Sequence, residues 1–304
     1  MRCAARYVQV VEEVTALPDG AHRTECVLTS GVKLSAVVAG NVEADRVWVL
    51  VHGLASNARL WDGVVRRLAT AGDLVIALDQ RGHGHSSAPS TGYEMATVAD
   101  DLAEVVTLFS DRPVVLVGQS WGGNVVLECA ARHSERVAGV VGVDGGFIRL
   151  REQFENWDAC WEALAPPQLD GVPRARIEQW LSTSASDWPE EGRLGTLANF
   201  IHLENGTIKP RLTRDLHKQV LRGLWEHDSV NTLRAVRCPV QFFIAENGDD
   251  ERRLMRRSMV NAFRAQAQTP CDVVWFPDAH HDVHAQRPDD VTAALQHFAS
   301  AHNL

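Results

Sequence analysis

Along the chain, short runs of β-branched and other apolar residues alternate with segments whose apolar residues recur every three or four positions. The runs Arg46–Val51, Leu74–Leu78, Val114–Val117, Val137–Val143, Val240–Ala245 and Asp272–Phe276 are almost unbroken by polar residues. That is the pattern of strands buried on both faces. Between them, Trp61–Ala71, Met95–Ser110 and Trp121–His133 carry apolar residues at helical spacing, and a further helix is expected over residues 251–266. Ahead of this alternation, Glu25–Thr29 and Lys33–Ala39 flank Ser30-Gly31 and predict an antiparallel hairpin. The predicted fold class is α/β, with a mainly parallel central sheet covered by helices on both faces.

Between Arg149 and Val230 the strand rhythm stops. What remains predicts several helices broken at Pro166-Pro167, Pro173, Pro189 and Asn205-Gly206. The expected organisation is a core formed by residues 1–148 and 231–304, with a helical lid, residues 149–230, inserted after the sixth core strand. Five of the nine tryptophans (Trp157, Trp161, Trp180, Trp188 and Trp225) fall in this insertion, so an aromatic inner face is expected, with one or two rings lining a pocket.

Composition narrows the function. Hydrophobic residues make up 45% of the chain and the formal net charge is −9, which allows a full core and disfavours a nucleic-acid partner, because phosphate binding needs clustered cations. The run Arg252, Arg253, Arg256 and Arg257 follows Asp249, Asp250 and Glu251 and reads as a solvated helix face. Six cysteines, at 3, 26, 129, 160, 238 and 271, show no C-x-x-C spacing, so neither a metal knuckle nor a disulfide framework is expected. Met1 to Val14 lacks an apolar core with a cleavage site, and no membrane-spanning run follows. A soluble cytoplasmic protein acting on a small molecule, with no membrane partner, is expected.

The strongest chemical signal is Gly118-Gln119-Ser120-Trp121-Gly122, which follows the strand Val114–Val117 and opens a helical pattern. Strand, G-x-S-x-G, helix is the setting of a nucleophilic serine on a strained turn, where small residues two positions either side give the hydroxyl room to project. With this motif the chain resembles the α/β hydrolases, and three further segments carry the resemblance. His52-Gly53-Leu54 is similar to the family's oxyanion loop, which implies that the N–H groups of Leu54 and Trp121 form the oxyanion hole. Asp79-Gln80-Arg81-Gly82-His83-Gly84-His85-Ser86 resembles the family's D-x-R-G-x-G-x-S loop, which implies a structural role and no catalytic role for its histidines. Near the end of the chain, His281 lies seven residues before Pro288, the family's register for the general base, and imidazole has the pKa for it. His280 and His284 are expected to be solvent-facing or on a pocket rim, and no metal is expected at this cluster.

Two aspartates compete for the third position of the triad. Most relatives take the acid from the turn after the strand equivalent to Val240–Ala245, which offers Asp249 here. A minority take it from the end of the preceding strand, which offers Asp144, 24 residues after Ser120 in Val143-Asp144-Gly145-Gly146. Both preserve the order Ser, Asp, His. Asp144 is favoured, Asp249 is the alternative, and Glu246 and Asp250 are lesser ones. The resemblance implies a cofactor-free serine hydrolase acting on an ester, lactone, thioester or amide of a small, largely apolar molecule. The lid arginines Arg174, Arg176, Arg193, Arg211 and Arg214 could receive one carboxylate. The same residues would also serve a C–C bond hydrolase, a cofactor-free perhydrolase or a thioesterase-like cyclase. A non-catalytic binding protein with a hydrolase shell is the alternative of another class.

Overall fold

Eight strands form one sheet in a computed structural model that describes residues 16–304. The stretch Met1 to Val14 and Cys3, discussed above, lie outside the described residues. The ten strands among the described residues are β1 (His22–Val27), β2 (Lys33–Gly40), β3 (Val47–Val51), β4 (Leu74–Asp79), β5 (Val114–Gln119), β6 (Val137–Val143), β7 (Phe200–His202), β8 (Ile208–Pro210), β9 (Val240–Glu246) and β10 (Cys271–Pro277). The sheet runs β1-β2-β4-β3-β5-β6-β9-β10. Only the pairs β1–β2 and β2–β4 are antiparallel; the remainder are parallel.

The helices are α1 (Asp62–Thr70), α2 (Met95–Phe109), α3 (Trp121–Arg132), α4 (Leu150–Gln153), α5 (Trp157–Leu164), α6 (Arg174–Ser184), α7 (Glu190–Leu197), α8 (Arg214–Glu226), α9 (Ser229–Ala235), α10 (Asp250–Arg264), α11 (Val283–Gln286) and α12 (Pro288–His302). Strand β3 shows why the apolar runs are unbroken. Val47, Val49 and Val51 enter a core shared with α2, α3 and α10, whereas Trp48 and Leu50 enter a second core shared with α1 and α12. Successive side chains point to opposite faces of a strand, so a sheet covered on both sides needs an apolar residue at every position.

The predicted core strands agree with the observed ones to within one or two residues, and β1 begins three residues earlier than expected. The Leu28 and Gly31 amides close the β1–β2 turn, on the carbonyls of Val32 and Leu28 at 2.9 Å each, so Thr29 belongs to the turn. The helix expected from Trp61 opens with a 3-10 turn, Ala58–Trp61, capped by the Asn57 side chain. The expectation that the insertion is purely helical needs correcting: β7 and β8 pair as an antiparallel hairpin around Asn205-Gly206. Among the described residues no helix is long and apolar enough to cross a membrane.

Candidate active site

At the carboxyl end of β5 the chain turns into α3 through Ser120, which has φ 53° and ψ −123°. A non-glycine residue at positive φ is held there only by its surroundings. The glycines of the motif supply the room. A Cβ on Gly118 would lie 2.1 Å from the Gly122 carbonyl oxygen, and one on Gly122 would lie 2.4 Å from that of His52. The Ser120 amide is fixed by donating to the Val143 carbonyl at 2.9 Å. On the other side, a Cβ on Gly145 would lie 2.0 Å from the Ser120 carbonyl oxygen. The turn after β6 therefore rests directly on the backbone of the serine turn.

That second turn starts at Asp144, also at positive φ, 46°. The residue is 3% exposed, and its Oδ2 accepts from His281 Nδ1 at 2.6 Å. Oδ1 accepts from the Ala245 amide at 3.0 Å and from the Arg256 guanidinium. With Nδ1 donating to the carboxylate, the neutral ring carries its lone pair on Nε2. Burial lowers the His281 pKa, but the bond to Asp144 and the charges of Asp282 and Asp144 outweigh it and hold the pKa above the ordinary value, with Arg256 opposing them. The residue before the serine ties the histidine loop to this turn: Gln119 Nε2 donates to the His281 carbonyl at 3.4 Å and to Asp282 Oδ1 at 3.1 Å.

The alternative acids are engaged elsewhere. Asp249 is the N-cap of α10 and accepts from the Arg252 amide at 3.0 Å. Asp250 begins that helix. Glu246 is paired with Arg257 through two bonds of 2.6 and 2.8 Å.

His52-Gly53-Leu54 leaves β3 beside the serine turn, and a Cβ on Gly53 would lie 3.0 Å from Ser120 Cβ. The Asp79–Ser86 loop holds it in place. His52 donates through Nδ1 to the Gly53 carbonyl at 2.7 Å and accepts the Gln80 amide at Nε2, 3.1 Å. His83 donates through Nδ1 to the Arg81 carbonyl at 2.9 Å and accepts the Ala55 amide at 3.3 Å. Burial pushes the His83 pKa down to about 3 and lowers that of His52, so both rings are neutral struts. Among the described residues the N–H groups of Leu54 and Trp121 donate to no backbone carbonyl outside the helices and strands.

Two expectations need correcting. His284 is neither solvent-facing nor on a rim: it is fully buried against Trp61, with ring centroids 4.1 Å apart, and burial lowers its pKa to about 3. His280, in contrast, is half-exposed and lies edge-on to Trp188. The arginine run is solvated as expected at Arg252 and Arg257, which are exposed, and half-buried at Arg253 and Arg256, but its partners do not lie on its own helix. Arg253, Arg256 and Arg257 pair with Asp278, Asp144 and Glu246 respectively, carboxylates that other elements bring to the helix. Sequence reasoning missed Arg256 for that reason; it missed Gln119 too, although the motif held it.

The tryptophans of the insertion pack mostly on one another and under cations. Trp157 and Trp161 stack, and Trp157 meets Trp225 edge-on. Arg214 and Lys218 lie over Trp161, and Arg222 over Trp157. A cavity of about 290 Å³ opens beside the His52–Leu54 loop at Ala55 and is lined by none of the five tryptophans. Its walls include Leu169, Phe200 and Leu212, with Lys209, Arg214 and Asp170 also present. Of the other arginines expected to serve a carboxylate, Arg211 bonds the Ala198 and Gly84 carbonyls and Arg174 pairs with Glu178. Among the described residues no cluster of His, Cys, Asp and Glu could hold a metal.

A family model for the alpha/beta hydrolase fold matches residues 47–288. The chain belongs to that family. This α/β hydrolase is 28% identical over 251 residues to 2-(acetamidomethylene)succinate hydrolase of Mesorhizobium japonicum, covering 82% of this chain and 86% of the relative. It is 39% identical over 137 residues to a non-heme chloroperoxidase of Kitasatospora aureofaciens, covering 45% and 50% of the two chains. The solved structure of an E-2-(acetamidomethylene)succinate hydrolase superposes with a TM-score of 0.74 at 26% identity, over 92% of this chain and 99% of the other.

Proposed function

We propose that this α/β hydrolase is a serine acyl hydrolase. His281 Nε2 takes the proton of Ser120 as Oγ attacks a carbonyl carbon, and the carbonyl electrons move onto an oxygen received by the Leu54 and Trp121 N–H groups. The tetrahedral intermediate collapses with His281 protonating the leaving group, which leaves an acyl-serine. Water, deprotonated by His281, then releases the acid and restores the serine. Asp144 keeps His281 in the Nδ1–H tautomer and stabilises the imidazolium formed in each half-reaction. The observation that carries this reading is the 2.6 Å bond between His281 Nδ1 and Asp144, on a turn packed against a strained serine.

The substrate class we infer is an ester or amide of a small molecule with an apolar body and one carboxylate. The cavity beside Ala55 supports it, with apolar walls and two cations, Lys209 and Arg214; the 2-(acetamidomethylene)succinate hydrolase that this chain resembles supports the amide and an acidic substrate, being named for an amide-bearing dicarboxylate. Residues 149–230 would serve as the lid. Support comes from Asn57, beyond the oxyanion loop, whose Nδ2 donates to the Gly195 carbonyl at 2.9 Å and to Asn199 Oδ1 at 2.5 Å.

Intact mass after incubation with a fluorophosphonate tests the mechanism. A single adduct is expected on the wild type, none on Ser120→Ala, and a much slower adduct on His281→Ala. A folded wild type that takes no adduct would overturn the reading in favour of a non-catalytic binding protein.

A further inference from the structure

Asp144 has two oxygens and three donors, and the donors differ in charge. The imidazole takes Oδ2, while a neutral amide and a guanidinium share Oδ1. The guanidinium adds a full positive charge, brought from the second turn of α10, a helix whose start is fixed independently by the Asp249 cap. The Arg256 side chain is 31% exposed, against 2% for that of Asp144, and it also lies over the Phe147 ring. It is thus held between the turn after β6 and open solvent.

We propose, on the acyl-hydrolase reading above, that Arg256 is a positioning residue of the triad: it clamps Oδ1 so that Oδ2 faces His281, and it withholds part of the carboxylate's charge from the imidazole. The groups facing His281 are Asp144 from the end of β6, Asp282 and His280 from its own loop, His284 from α11 and Arg256 from α10. His284 is buried and neutral, so it contributes no charge. Asp144 and Asp282 favour the protonated ring, and Arg256 opposes them. The base is useful only when neutral. An arginine on the acid therefore widens the working range toward low pH, while leaving the carboxylate able to stabilise the imidazolium as it forms.

Removing the positive charge leaves Asp144 unopposed, raises the His281 pKa and shifts the acid limb of kcat/KM upward. In Arg256→Met the ratio of kcat/KM at pH about 8.5 to that at pH about 6 should rise roughly three- to tenfold over wild type, the scale of one partly screened charge a few ångströms away. Arg256→Lys should restore the limb. Arg257→Met, which removes the neighbouring guanidinium paired with Glu246, should leave it in place. Titration of the His281 ring by NMR in the resting protein reads the same coupling without turnover. An unmoved ring titration in folded Arg256→Met would overturn the proposal. A ring titration that shifts in a protein turning over no ester or amide would uphold the coupling and defeat the acyl-hydrolase reading instead.

Discussion

Two neighbouring turns at the carboxyl edge of the sheet each offer a carboxylate, and they use it differently. β6 and β9 are parallel partners, with Val143 opposite Phe243. After β6, Asp144 adopts a left-handed conformation ahead of Gly145 and Gly146 and points its buried carboxylate at His281. After β9, the chain runs into α10, and Asp249, exposed and extended, caps that helix. A helix start leaves backbone N–H groups unpaired and draws the nearest side-chain oxygen onto itself. A tight turn backed by glycines makes no such demand. What frees a carboxylate for chemistry is thus the backbone that follows it, more than its place in the chain order.

Exchanging charge for amide at the first turn is the harshest test of this contrast. Asp144→Asn preserves shape but offers the imidazole an N–H where it needs an acceptor, so the wrong tautomer is favoured; kcat on an ester or amide substrate should fall roughly 10⁴-fold. Circular dichroism must show a folded variant, since Arg256 loses its partner as well. Asp249→Asn should retain most activity. The reverse ranking would move the acid to the second turn and break the comparison.

Glu246 sharpens it at a smaller scale, because it too lies at the end of β9 but is occupied by Arg257. Its pKa is held below the ordinary value, chiefly by that hydrogen-bonded guanidinium. Half of the Arg257 side chain is in water, so the pair is screened and Glu246→Gln should cost only about 1–2 kcal/mol, measured by urea unfolding at neutral pH. A carboxylate with a depressed folded pKa contributes stability above its unfolded value, near 4.5, and loses it as pH falls through the folded value. The gap between wild type and Glu246→Gln should therefore close below pH about 4.5. A gap that widened in acid would assign the stabilisation to something other than the ion pair.

Most of this arrangement was legible in the sequence, for identifiable reasons. The core strands declared themselves because burial on both faces demands continuous apolar runs, and Ser120 because its turn requires Gly118 and Gly122. The choice between Asp144 and Asp249 could not be made from chain order. Gly145-Gly146 carried the signal, yet its force, the contact between Gly145 and the Ser120 backbone, exists only in three dimensions. Arg256 was misread because helical i,i+4 spacing reports partners on the same helix, whereas its partner arrives from β6. The hairpin in the insertion escaped because strands of three residues are too short to display alternation; Asn205-Gly206 signalled its turn but read equally well as a helix break.

The smallest expected effect concerns Asp249 itself. In Asp249→Ala the Arg252 amide loses its side-chain acceptor, and stability should fall by about 1 kcal/mol, the usual cost of an N-cap. Fraying should stay within the first turn of α10. Arg256 lies one turn further on and is anchored at its far end by Asp144, so kcat/KM should stay within about twofold of wild type and the acid limb should not move. If the limb moves with the cap, α10 is not independently fixed and Arg256 depends on Asp249 for its position. The two turns would then be mechanically coupled, and a carboxylate spent on capping a helix would still act on the triad through the arginine that the helix carries.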